Sequence, residues 1–244
     1  MGVDCRADDL TSRRWPWLLA GLGGAVLAHL IVPATFVWVL CAIPHEMGHA
    51  TVGCWLGRPS SPAISLAGHA WSHIGELRPW LPWTILVVLL GVAWHRRHRR
   101  VLAVVLAVVA VGSPLVAFAK VATVAIAIGG HLGELAFAAY CYHLFWTGGY
   151  TGAFQERLAC VIAGALLQVA NLKLCLGLLT SAAARAHYAT NGSLGMKNDY
   201  LVIAEDLCHC RLHSGALLML VAAIAALPLG LLTGWLRECA GDPE

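Results

Sequence analysis

The sequence has little charge: Asp, Glu, Lys and Arg make up 12% of its 244 residues. A soluble globular domain carries about 25%, so the chain has half the charge needed to clothe a water-facing surface. Sixteen Lys and Arg against thirteen Asp and Glu leave a net charge of only +3. That is too little for a basic face that neutralises phosphates, and nucleic acid is excluded as a partner. No internal repeat is visible, which excludes solenoids and arrays. Nine cysteines do not make a disulfide framework either, because Cys41, Cys54, Cys141, Cys160 and Cys175 sit inside apolar runs, where a thiol behaves as a small hydrophobe.

What the chain does have is apolar length. It is 59% hydrophobic, with a mean hydropathy of +0.72. Lys, Arg, Asp and Glu are absent from 15–44, 81–94, 101–119 and 212–236, and a stretch of about 20 such residues spans a bilayer as a helix. Pro33 and Ala34 mark a corner in the first run, and further spans are expected at 101–128, 131–147 and 155–182. The expectation is an all-α integral membrane protein, residues 1–244 forming a single polytopic bundle of six or seven transmembrane helices. The segment 81–94 reaches about 21 Å at 1.5 Å per residue, short of a core of about 30 Å, and is expected to be tilted or re-entrant. Arg13 and Arg14 before the first run read as a retained signal anchor with a cytoplasmic N-terminus. Arg96, Arg97, Arg99 and Arg100 read as an anchor at the membrane edge. The expected location is the bacterial cytoplasmic membrane, crossed several times. Gly21, Gly23 and Gly24 suit close helix packing within the chain or a homodimer.

Two polar segments interrupt this pattern. Residues 58–80 form a polar loop, with the alternation of a short hairpin around 66–76; its His69 and His73 read as surface residues. Residues 183–211 form a polar connecting segment.

Inside the apolar helix expected at 35–56 lies His45-Glu46-Met47-Gly48-His49. Residues four apart share a helix face, so both imidazoles can reach one Zn²⁺, while Glu46 is placed to take a proton from an attacking water. Composition alone produces about 0.02 such matches in a chain of this length. Three ionisable groups in five positions of a membrane helix are also hard to satisfy without a metal. Pro44 is expected to kink the helix and free the carbonyl of Leu40, and Gly48 to admit a close backbone. A catalytic zinc needs a third protein ligand. The candidates are Asp199, Glu134, His131 and the Cys208-His209-Cys210-x-x-His213 cluster, whose spacing is not that of a zinc knuckle. Glu134 reads equally as a structural group partnered by Lys120 or a backbone donor.

Ile43-Pro44-His45-Glu46-Met47-Gly48-His49-Ala50, then Trp55-Leu56-Gly57-Arg58-Pro59 and Ala63-Ile64-Ser65-Leu66, resemble the metal helix, turn and strand loop of site-2-protease-type intramembrane metalloproteases, peptidase family M50, most closely the M50B-like branch. Gly130-His131-Leu132-Gly133 is similar to that branch's G-Y-x-G, with His for Tyr. The resemblance implies a short β-type loop after the metal helix, Zn²⁺ as cofactor and a third ligand from a later Asp, best matched by Asn198-Asp199. There is no N-x-x-P-x-x-x-L-D-G motif, and Ala163-Gly164-Ala165-Leu166-Leu167-Gln168 is only loosely similar to A-G-P-x-x-N. The expected activity is zinc-dependent hydrolysis of peptide bonds in membrane-embedded protein substrates, Glu46 acting as general base. The loop at 58–80 is expected to pair with extended substrate. Ile43-Pro44-His45-Glu46 also resembles the metal helix of ZIP-type zinc transporters, whose companion H-N-x-x-D is absent. A catalytically silent zinc-binding membrane protein is the third possibility.

Overall fold

The structure, a computed structural model, describes residues 5–65, 69–150, 153–190, 198–207, 209 and 211–239. Among them the chain is mostly helical, with one small two-stranded sheet. Helices α1 (Cys5–Ile31) and α2 (Ala34–Trp55) meet at Pro33, the expected corner. Strands β1 (Ser60–Ser65) and β2 (His69–Ile74) follow as an antiparallel pair in which Ser60 faces Ile74 and Ser65 faces His69. Then come α3 (Trp80–His95), α4 (Arg100–Ala117), α5 (Val121–Thr147), α6 (Phe154–Thr180), α7 (Ala182–Thr190), the short α8 (Asp199–Leu201) running into a π-turn at Val202–Leu207, and α9 (Leu212–Cys239).

Four of the described helices, α4, α5, α6 and α9, are long and apolar enough to cross a membrane, and α3 is a shorter apolar helix. The hydropathy of α2 is lowered by His45, Glu46 and His49 at its middle. The single span expected at 101–128 is instead the whole of α4, a turn at Phe118, Ala119 and Lys120, and the start of α5. Eighteen residues already rise about 27 Å, and the turn is where Lys120 can leave the hydrocarbon. The helix expected at 131–147 is the second part of the 27-residue α5. The hairpin begins earlier than its alternation suggested, with β1 starting at Ser60.

The chain divides into two compact units. One comprises Met1–Cys41, Glu134–Ala182 and Ala216–Glu244. In it α1 packs along α6 through Ala25, Ala165 and Leu166, with Leu22, Ala28 and Ile162 around them. Gly21 abuts Val161, whose Cβ would stand 2.7 Å from an added Cβ, whereas Gly23 and Gly24 face open space. Gly21 thus serves packing between helices of this unit. Its buried polar groups satisfy one another: Tyr142 donates to Gln168 at 2.6 Å, Gln168 donates to the Ala223 carbonyl at 2.8 Å, and Asn171 donates to Glu134 at 2.9 Å.

The second unit comprises Ala42–Gly133 and Ala183–Gly215. Here α2 ends in a turn in which Gly57 adopts φ +78°, a conformation favouring a residue without Cβ. The Arg58 amide bonds back to the Gly53 carbonyl at 2.9 Å, which aims the chain into β1. Leu56, Ala117 and Ala122 form a small buried cluster beneath this turn. The helices α3 and α4 pair as a hairpin around a turn carrying Arg96, Arg97 and Arg99. They turn apolar side chains outward, Val87 at 68% and Val104 at 62% exposure, a surface suited to lipid and costly in water.

Candidate metal centre

The geometry of the second unit begins with glycine. Gly48 on α2 lies against Gly129 and Gly133 on α5, so closely that a Cβ on Gly133 would stand 2.7 Å from the Gly48 Cα and 2.7 Å from the Pro44 carbonyl oxygen. Two helices approach this closely only where side chains are missing from the contact. Helix α2 continues through Pro44 as one element, and the backbone expected to approach Gly48 is that of α5.

The close approach sets the rings of His45 and His49 beside α5. His49 Nδ1 lies 2.7 Å from the Ile126 carbonyl oxygen. A carbonyl only accepts, so Nδ1 carries the proton, and in the neutral ring Nε2 presents a bare lone pair. That Nε2 lies 3.0 Å from His45 Nε2 and 3.2 Å from Asp199 Oδ2, and His45 Nε2 lies 3.0 Å from the same oxygen. Wherever two lone pairs face each other in such a triangle they repel, and a cation between the three atoms removes the repulsion. One proton bridges one pair; a divalent ion serves all three. Zinc–ligand distances of about 2.0–2.1 Å place tetrahedral ligand atoms about 3.3 Å apart, close to the three edges found here. The donor set, two imidazoles and a carboxylate, is one zinc accepts. His45, His49 and Asp199 could hold a metal ion.

Asp199 reaches this position by local design. It opens α8 directly after Asn198, whose side chain donates to the Tyr188 carbonyl. Tyr200, fully buried, stacks on the His131 ring at 4.4 Å with an 8° interplanar angle. Burial pushes the Asp199 carboxyl up, but the imidazoles of His45 and His49 beside it outweigh the burial and hold the group well below the usual carboxylate range. It is therefore an anion at neutral pH.

Glu46 does not join the triangle. Its carboxylate oxygen Oε2 accepts a hydrogen bond from Ser72 of β2 at 2.7 Å, and it lines, with His45, His49 and Asp199, a cavity of about 260 Å³ whose other walls include Ala70, Trp71, Ser72, Thr123, Ile126 and Val202.

His131 is buried beside the centre, its Nε2 3.7 Å from Asp199 Oδ2, outside the three-atom triangle. Glu134 belongs to the first unit, where its carboxylate accepts from Asn171. His69 and His73 are exposed on the hairpin, and in the Cys208-His209-Cys210-x-x-His213 cluster both cysteines lie outside the described residues while His209 and His213 are exposed. Sequence reasoning missed two contributors, the Ile126 carbonyl and Ser72. A backbone acceptor leaves no trace in residue type. For Ser72 the available signal was the strand period, which sets Ala70, Ser72 and Ile74 on one face.

A comparison of the chain with protein-family models, curated proteins and solved structures finds no match.

Proposed function

We propose that the chain is a zinc-dependent intramembrane endopeptidase of the site-2-protease type, embedded in a bacterial cytoplasmic membrane and crossing it six or seven times. The long helices α4, α5, α6 and α9 supply four crossings, and α1, α2 and the shorter α3 supply the others. The observation that carries the reading is the division of labour in the His-Glu-x-x-His helix. His45 and His49 converge with Asp199, while Glu46 stands apart on the same cavity wall. Three protein ligands with a fourth position left over is the pattern of a catalytic zinc.

A bound zinc would lower the pKa of water in its coordination sphere and polarise a carbonyl. His45, His49 and Asp199 would hold the ion, with the Ile126 carbonyl fixing the His49 ring. Glu46 accepts the proton of the attacking water and delivers it to the leaving amine, so the carboxylate is regenerated. Trp71, Ile126 and Val202 keep the cavity walls apolar, limiting bulk water around that transfer. A membrane-spanning substrate unwinds locally to present a carbonyl, because a helical peptide's carbonyls are engaged.

The test is the zinc content of detergent-purified protein beside Glu46→Gln, followed by mapping of new N-termini in membranes expressing either form. The reading expects one zinc per chain in both, and cleavage products only with the unsubstituted protein. Loss of zinc in Glu46→Gln would make Glu46 a ligand and favour the transporter or structural readings.

A further inference from the structure

Ser72 touches the same residue twice. Its Oγ lies 2.7 Å from Glu46 Oε2 and 2.9 Å from the Glu46 backbone oxygen. A hydroxyl has one proton, and the closer, charged acceptor takes it. The second contact keeps the hydroxyl against the helix backbone, so it spans the two ends of one flexible side chain. Glu has three rotatable bonds, and a lone hydrogen bond to its tip would leave the rest free to change rotamer. The pair is 26 residues apart in sequence, and the only route from Ser72 to α2 is through the folding of the hairpin. On β2 the exposed His69 and His73 bracket Ala70, Trp71 and Ser72, which line the cavity. Ser72 is therefore held by the strand, on the wall facing Glu46.

We infer that Ser72 is a positioning residue for Glu46, fixing Oε2 so that the carboxylate's other oxygen is presented to the reacting water. The inference rests on the general-base reading of Glu46. Geometry is the reason for its worth: a base that transfers a proton must stand within about 2.6–3.2 Å of it, and a carboxylate free to swing loses that geometry for much of its time.

Acetohydroxamate is a suitable probe, because it chelates a zinc ion and passes its hydroxyl proton to an adjacent carboxylate, so its affinity reports where Glu46 stands. Its binding to the full-length zinc-loaded protein in detergent is compared among the unsubstituted chain, Ser72→Ala, Ser72→Thr, Glu46→Ala and Ser72→Ala with Glu46→Ala. Zinc content is measured in each. The expected result is one zinc per chain throughout and about tenfold weaker binding in Ser72→Ala, the range of one hydrogen bond to a charged group. Ser72→Thr, which keeps the hydroxyl, restores binding, and Ser72→Ala adds no further loss in the Glu46→Ala background. Unchanged affinity in Ser72→Ala, loss of its zinc, or the same loss in both backgrounds would overturn the proposal while leaving the reading of Glu46 intact. If Glu46→Ala itself binds the probe as well as the unsubstituted chain, the general-base reading fails and takes the proposal with it.

Discussion

Gly130 is pinned between two imidazoles. A Cβ there would stand 2.6 Å from His49 Cε1 and 2.8 Å from His45 Cε1. Neither ring can yield cheaply, since His49 is tied to the Ile126 carbonyl and both converge on Asp199. Gly130→Ala is therefore expected to lower zinc affinity at least tenfold while leaving the far-ultraviolet circular dichroism unchanged; zinc binding equal to that of the unsubstituted chain would contradict this packing. His45→Ala, His49→Ala and Asp199→Ala are expected to lose the metal. A normal zinc content in Asp199→Ala would remove Asp199 from the ligand set. The residue types also show how much of the centre the sequence could disclose. His45 and His49 are legible because a helix has a fixed period, whereas Asp199 depends on a distant segment returning to α2: residue type left it one candidate among several, and the resemblance ranked it.

The α2–α5 contact is an element-scale device: Gly48, Gly129 and Gly133 let two backbones touch, and the face of α2 that carries His45 and His49 is placed by that contact. Gly133→Val would force a branched side chain into the Gly48 backbone, and overpacking of this kind costs about 1–3 kcal/mol. The expectation is a lower melting temperature in detergent together with weakened zinc binding; an unchanged melting temperature would show that the helices can part without cost. At the same scale, hydropathy located the apolar helices but not the break at Phe118–Lys120, because an apolar run does not record where a helix turns back. Alternation pointed to a hairpin after α2, but not to the contact of Ser72 with Glu46. Strand period sets the face of a residue, and only tertiary packing decides what that face meets.

At the scale of the whole chain, the first unit gathers helix ends against the first half of α1. Arg14, ten residues into α1, bonds both oxygens of Glu238, near the end of α9, at 2.8 and 3.0 Å. Trp146, near the end of α5, donates to the same carboxylate at 2.9 Å and stacks edge-on with Trp15 at 6.3 Å. Beyond α5, the Tyr150 amide donates at 2.7 Å to Glu156 in the first turn of α6. The first half of α1, the end of α5, the start of α6 and the end of α9 therefore share one end of this unit. The Arg14 side chain is only 11% exposed, so the cost of taking it out of water offsets much of the attraction, and the importance of the pair lies in orientation. Arg157 stands close enough to feel Arg14 and Glu238, and Trp15 meets Trp146 as Trp17 meets Phe154; aromatic rings mark either membrane interface and cations the cytoplasmic one, so the proposed reading puts this end at the cytoplasmic face. Fusion of green fluorescent protein before α1 or beyond α9 is therefore expected to fluoresce in bacterial cells, and fusion of alkaline phosphatase at either place to be inactive. Active phosphatase at both places would invert the unit, and activity at only one would separate ends that the Arg14–Glu238 pair holds together.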